Sequence, residues 1–484
     1  MTLKTQVEYL DSLRQSKKRV FLFGEEIRNY VDHPMIRPSI NALAMTYELS
    51  HHPEHQELMT ATSSLTGQKV NRFTHLHQGT DDLNQKVKML RLLGQCTACC
   101  FQRCVGMDSF NAVDIVTFNM DKELGTQYNT RFRHFLQLMQ EQDLVVGGAM
   151  TDTKGDRSLS PSEQADPDLY LHLVSQNDEG IIIRGAKLHQ TGAVNSHWLL
   201  VMPTRSLTEK DKDYAVACAV PADADGVIYV YGRQASDTRK LEAGKVDVGN
   251  INYGGHEAVV IFNNVFVPWQ YVFMCGEYQD AGDLVEIFAG YHRASYGGCK
   301  VGVGDVLIGA ARAISKVQGT DKASHIKDKI VEMVHLNETL YACGIATSSE
   351  GVKTPSGTYL IDMQLANVCK LNVTRFPYQI ASLAQDIAGG LLVTLPSEKD
   401  FENPEIGPLL NKYLVGKEGY PTSYRQRMLR LIENLTIGVG AVGYLTESMH
   451  GAGSPMAQRI MLGRLANLDY KEQLAERIAC VTDE

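Results

Sequence analysis

The side-chain pattern changes twice along the 484 residues, and that order of blocks constrains the fold more than any single motif. From residue 1 to about 145 apolar side chains recur at helical spacing, as in Val87-Lys-Met-Leu-Arg-Leu-Leu93. From about 146 to 280 short β-rich runs bracket polar turns. Tyr170-Leu-His-Leu-Val174 and Ile181-Ile-Ile-Arg184 flank Gln176-Asn-Asp-Glu-Gly180, which predicts a hairpin, and Ala258 to Pro268 repeats the signature around Asn263-Asn264. From about 281 the helical period returns in Asp305 to Val317, Ile326 to Ala342 and Gln426 to Leu435. Helices, strands and helices in separate blocks predict an α+β fold. Its parts are an N-terminal helical domain (1–145), a middle, mostly antiparallel β-domain (146–280) and a C-terminal helical bundle (281–484). A doubly wound sheet is excluded: Gly302-Val-Gly304 lies in a helical run with no strand before it.

Composition narrows the partners. A hydrophobic share of 44% with 21% charged residues is that of a globular protein, and the length allows two or three cooperating domains. The formal charge of −9 argues against nucleic acid and against an anionic membrane surface, which both select basic faces. No stretch approaches the roughly 18 apolar residues of a membrane span. The N-terminus carries charges throughout, unlike a secretory signal, so a cytoplasmic protein with reduced thiols is expected.

Two spacings carry chemistry. Cys100-Phe-Gln-Arg-Cys104 and His292-Arg-Ala-Ser-Tyr-Gly-Gly-Cys299 each return two ligand-type side chains to one face, if their segments are helical. Three thiolates and an imidazole suit a structural zinc or an iron–sulfur cluster. The alternative is that these cysteines simply pack a core, as free cysteines often do. Cys96 falls on the same helical stripe as Cys100 and Cys104, and Cys99 falls off it. Cys218, Cys275, Cys343, Cys369 and Cys480 stand singly in apolar surroundings and read as core.

Longer segments are more specific: His33-Pro-Met-Ile-Arg-Pro-Ser-Ile-Asn41, Ala98 to Asp108, Ala149-Met-Thr-Asp-Thr-Lys-Gly-Asp-Arg157, His189-Gln-Thr-Gly192, Gly290 to Asp305 and Thr446-Glu-Ser-Met-His-Gly-Ala-Gly-Ser-Pro455. Over essentially the whole chain they resemble the 4-hydroxybutyryl-CoA dehydratase family, which also carries vinylacetyl-CoA Δ-isomerase activity. That family is a branch of the flavin enzymes typified by 4-hydroxyphenylacetate 3-monooxygenase, on an acyl-CoA dehydrogenase-like fold. The resemblance implies FAD and a 4Fe-4S cluster held by Cys100, Cys104, His292 and Cys299. It implies an acyl-CoA substrate, and a dehydration with no net redox change in which flavin takes and returns one electron while iron accepts the hydroxyl.

The resemblance also assigns roles. His292 is a ligand that can detach to act as base, Tyr296 a proton donor or orienter, and Lys300 a cation for thioester or flavin charge. Glu257 and Glu447 match active-site glutamates, and Gln102 matches a substrate contact. Thr151, Asp152, Gly155, Asp156, Arg157 and Thr191 match flavin-contacting loops. Gly389 and Gly390, in Gln385-Asp-Ile-Ala-Gly-Gly390, match the turn that receives a dinucleotide from a neighbouring subunit, which implies a homotetramer. Two other functions compete. A flavin-dependent aromatic hydroxylase has no use for the four-ligand set, and a zinc-stapled scaffold has no use for Glu257, Tyr296 and Lys300.

Overall fold

The expected hairpin forms from two antiparallel strands, His172–Gln176 and Gly180–Thr191. Its turn is closed by the Asn177 side-chain oxygen, which accepts from the backbone N–H groups of Glu179 and Gly180. The second predicted hairpin is instead one continuous strand, Glu257–Pro268, running antiparallel to Gly180–Thr191. Asn263-Asn264 makes a bulge, with a register shift between Phe262 and Val265 and Asn264 at φ 55°. One asparagine in the left-handed region re-aims a strand without reversing it.

The computed structural model describes residues 3–481; Met1, Thr2 and residues 482–484 lie outside it. A six-stranded sheet takes the order Glu25–Glu26, Arg19–Leu22, Val227–Tyr231, Glu257–Pro268, Gly180–Thr191, His172–Gln176. A four-stranded sheet takes the order Val272–Cys275, Val216–Pro221, Trp198–Val201, Val146–Ala149. Pairing is antiparallel except where Arg19–Leu22 joins Val227–Tyr231 and Val146–Ala149 joins Trp198–Val201. The N-terminal helical block therefore lends strands to the larger sheet. They are too short for an alternating pattern to stand out in the sequence.

One core runs from Tyr9 and Leu43 through Phe135 to Val260 and Phe273, crossing residue 145 without a break. A second, with Leu307, Ile314, Ile380 and Ile432, holds the C-terminal bundle. Between them lies a smaller cluster of Phe73, Leu90, Phe101, Cys104, Tyr296 and Cys299. The joint is the 40-residue helix Tyr278–Val317. Gly297-Gly298 does not break it, because glycine is what lets the helix Thr80–Thr97 lie against it. A Cβ on Gly298 would stand 2.4 Å from the Val87 carbonyl oxygen, and one on Gly302 2.2 Å from that of Arg91. Glycine costs helix propensity, about 1 kcal/mol per residue, and backbone-to-backbone packing offsets it.

Candidate active site

Cys100 and Cys104 do not share a helix. Thr80–Thr97 ends at Ala98, at φ 49°, and the next helix begins at Cys104. The turn between them holds Gln102 at φ 67°. Cys96 stays behind on the first helix, so the stripe joining it to Cys100 and Cys104 does not exist. His292 and Cys299 do share one face of the long helix, two turns apart.

The turn and the long helix bring Cys100, Cys104 and Cys299 together as free thiols. Burial pushes all three up, Cys299 to about 11; Cys100 and Cys104 are raised further by neighbouring thiols and by Glu447, while Lys300 acts in the opposite sense. Cys99 faces Thr97 and Lys240 instead, and burial pushes its thiol up to about 12. His292 is held on three sides. Its Nδ1 lies 2.8 Å from Asp108 Oδ2, Phe288 stacks on its ring at 5.6 Å and Tyr296 meets it edge-on at 5.1 Å. That leaves Nε2 as the ring nitrogen without a protein partner. Among the described residues, His52, Glu54 and His55 form the group whose ligand atoms lie within 4.8 Å of one another, on the surface. No three of Cys100, Cys104, Cys299 and His292 bring their ligand atoms that close together.

Around this set stand two carboxyl groups, Glu257 and Glu447. Glu257 opens its strand, and its carboxyl lies 2.7 Å from Thr191 Oγ1. Burial, then the charge of Glu447, pushes it well above the usual carboxylate range. The Thr191 hydroxyl donates to this carboxyl, standing 2.7 Å from Oε1 and 2.8 Å from Oε2. Glu447 follows the π-helical turn Val442–Thr446 and pairs with Lys300 at 2.6 Å; Lys300 also donates to the Gly443 carbonyl. A Cβ on Gly443 would sit 3.8 Å from Cys100 Cβ, so this turn packs directly on the cysteine turn. The Tyr296 hydroxyl is buried without a hydrogen-bond partner.

Gln102 does not reach out to a substrate. Its Nε2 donates among the carbonyls of Ser39, Cys100 and Gly254, and its Oε1 accepts from Asn195 at 2.8 Å. It braces the cysteine turn. Asp152 is likewise turned inward: Lys187 at 2.8 Å and the Leu171 N–H at 3.0 Å meet Oδ1, and the Thr204 hydroxyl meets Oδ2. Gly155 sits at φ 45°, in the left-handed region that favours glycine, and a Cβ there would stand 2.3 Å from Gln164 Oε1. Asp156 accepts from Ser158, while Thr151 lies partly buried and Arg157 exposed. Burial holds the His189 imidazole down, and the nearby charges of Lys154, His450 and Arg157 add to it, so His189 lies between this loop and the helix that carries Glu447 and His450.

Gly389 and Gly390 end the helix Phe376–Ala388 in the open, with nothing within 4 Å of an added Cβ. They neighbour Gln318, whose side chain donates to the Ala388 carbonyl at the far end of the long helix. From His292 that is a span of about 39 Å at 1.5 Å per residue. The structure therefore does not bring this turn to its own chain's site.

Three neighbours escaped the sequence reading. Lys86 and Asp108 pair at 2.5 Å behind His292. Lys370, fully buried without a carboxylate partner, donates to the Ser448 carbonyl and stands 4.6 Å from the Tyr296 ring centre; burial, then the charge of Lys300, brings it down to about 7. Nothing in the local sequence marks a lysine or aspartate whose partner lies on another element.

Family profiles described as 4-hydroxyphenylacetate 3-hydroxylase, N terminal and C terminal, match residues 5–274 and 281–480. The chain is 58% identical over 486 residues to a 4-hydroxybutyryl-CoA dehydratase/vinylacetyl-CoA-Δ-isomerase of Clostridium aminobutyricum, covering 99% of each. A solved oxygen-tolerant archaeal 4-hydroxybutyryl-CoA dehydratase from N. maritimus superposes with a TM-score of 0.98 at 57% identity, covering 100% of this chain and 96% of that one. The oxygenase component of 4-hydroxyphenylacetate 3-monooxygenase complexed with FAD shares the fold, with a TM-score of 0.87 at 23% identity, covering 99% and 98%.

Proposed function

The chain belongs to the 4-hydroxyphenylacetate 3-hydroxylase family and, within it, to the 4-hydroxybutyryl-CoA dehydratase branch, and from that membership we propose that it dehydrates 4-hydroxybutyryl-CoA to crotonyl-CoA and isomerises vinylacetyl-CoA to the same product. The observation that carries this reading is the gathering of three free thiols, Cys104 and Cys299 buried and Cys100 partly so, with an imidazole whose Nδ1 is already engaged. An aromatic hydroxylase needs no such donor set.

The donor chemistry fits a 4Fe-4S cluster on Cys100, Cys104, Cys299 and His292, since thiols without acceptors are deprotonated by the metal they bind. FAD fits beside Thr191 and the Thr151–Arg157 loop, with Thr151, Gly155, Asp156 and Arg157 on its accessible side. When bound, these groups supply a one-electron acceptor and a Lewis acid for the departing hydroxyl. His292 Nε2 takes the Cα proton of the thioester and returns it to Cγ as the product methyl forms, while the Tyr296 hydroxyl orients the reacting carbons. Glu257, held protonated, gives its proton to the leaving hydroxyl, which departs as water, and is restored by the Cβ proton, while the Lys300–Glu447 pair sets the charge facing the thioester. Water exclusion follows from burial of Tyr296, Lys300, Cys104 and Cys299.

The open Gly389-Gly390 turn, remote from its own site, serves a neighbouring subunit's dinucleotide in a homotetramer. No helix among the described residues is long and apolar enough to cross a membrane, which agrees with action in the cytoplasm. The test is anaerobic purification followed by an absorption spectrum, iron and sulfide analysis and a crotonyl-CoA assay. About four irons per chain, FAD and product are expected. Flavin without iron overturns the reading in favour of the hydroxylase.

A further inference from the structure

Behind His292 lies a buried polar group that the chemistry above does not use. Asp108 is fully buried on the helix Cys104–Leu124, and all its partners come from other helices. Lys86 Nζ, from Thr80–Thr97, reaches Oδ1 at 2.5 Å and also donates to the Tyr291 carbonyl at 3.1 Å. The Ser295 hydroxyl, one turn from His292, donates at 3.0 Å to Oδ2, the oxygen that holds His292 Nδ1 at 2.8 Å. Three helices thus meet at one carboxylate, and one of its bonds fixes a ring.

We propose that Asp108 is the positioning residue of the cluster's histidine. Through Nδ1 it fixes both the tautomer and the plane of the ring, so that Nε2 serves as iron ligand and, when released, as base without rotation. An imidazole with a free Nδ1 can flip about its Cβ–Cγ bond and present either nitrogen. Here the flip would trade a bond to a buried carboxylate for none, against a ring already clamped by Phe288 and Tyr296. Lys86 and Ser295 hold the carboxylate itself in place. This is the arrangement by which outer carboxylates orient metal-bound histidines, and its loss weakens metal binding roughly 10- to 100-fold. The inference rests on the dehydratase reading, because it presumes His292 binds iron.

The experiment uses the full-length holoenzyme, purified anaerobically as wild type, Asp108→Asn and Ser295→Ala. Three quantities are read: iron per chain, the rate at which a chelator strips iron, and the nitrogen hyperfine coupling of the reduced cluster in protein labelled with 15N-histidine. Asp108→Asn is expected to keep its flavin and circular dichroism, lose iron about 10- to 100-fold faster and show an altered coupling. Ser295→Ala, which removes one bond to the carboxylate, moves the same way by a smaller factor and decides the matter if Asp108→Asn fails to fold. Wild-type stripping rate and coupling in the folded variants overturn the role of Asp108 and leave the dehydratase reading intact. A wild type that binds no iron overturns both.

Discussion

Lys300 and Glu447 meet at 2.6 Å with side chains 4% and 14% exposed, so each is the other's principal compensation in a nearly dry site. Removing one charge strands the other, which typically costs about 3–5 kcal/mol, whereas removing both costs far less. Lys300→Met is therefore expected to lower unfolding stability by about 3 kcal/mol, and Lys300→Met/Glu447→Gln to recover most of it. Denaturation of the two variants side by side checks this; equal losses would show that the pair contributes little. The sequence marks both residues only through a family likeness, since lysine and glutamate 147 positions apart carry no local sign of meeting. Gln102 shows the converse. The family likeness gives it a substrate contact, while in the fold four groups already meet its amide.

At the scale of elements, the long helix and Thr80–Thr97 are pressed together through glycines. A methyl group at Gly298 meets the Val87 carbonyl at 2.4 Å, backbone that cannot move aside. Gly298→Ala is expected to destabilise by about 1–3 kcal/mol and, by displacing Cys299, to lower iron content. Gly309, on the same helix, has nothing within 4 Å of an added Cβ, so Gly309→Ala is expected to stabilise by about 0.5–1 kcal/mol. Thermal denaturation of the pair separates packing from propensity: if both variants move the same way, the contact is not what matters. The helical period predicted this helix in outline. It did not predict passage through Gly297-Gly298, because propensity reads the chain alone and the compensation lies on a neighbour.

For the molecule as a whole, acid stability follows from its buried imidazoles. Burial, as the main cause, pulls His77 and His197 well below the ordinary imidazole value and His256 down to about 3. Their folded-state values lie below the unfolded one, near 6.5, so below that pH the unfolded chain binds more protons. Stability is thus full above pH 6.5 and is lost as pH falls toward 3, by up to about 1.4 kcal/mol per pH unit for each histidine. Unfolding measured from pH 7.5 to 5 checks the direction. His197→Gln, whose ring accepts the Val145 N–H and faces Ser12, is expected to flatten the slope by about one histidine's share. A rise in stability on acidification would contradict it.

The sequence by itself determined the order of helical and strand blocks, because hydrophobic period is a local property. It also determined the family, because long motifs survive in series. Tertiary structure decided what those motifs do together. It turned Asn263-Asn264 from a hairpin turn into a bulge and split Cys100 from Cys104 at a helix boundary. It also carried strands from the N-terminal block into the sheet. It alone placed Asp108 behind His292, 184 residues away, because a buried charge acquires its meaning from whatever the fold sets beside it.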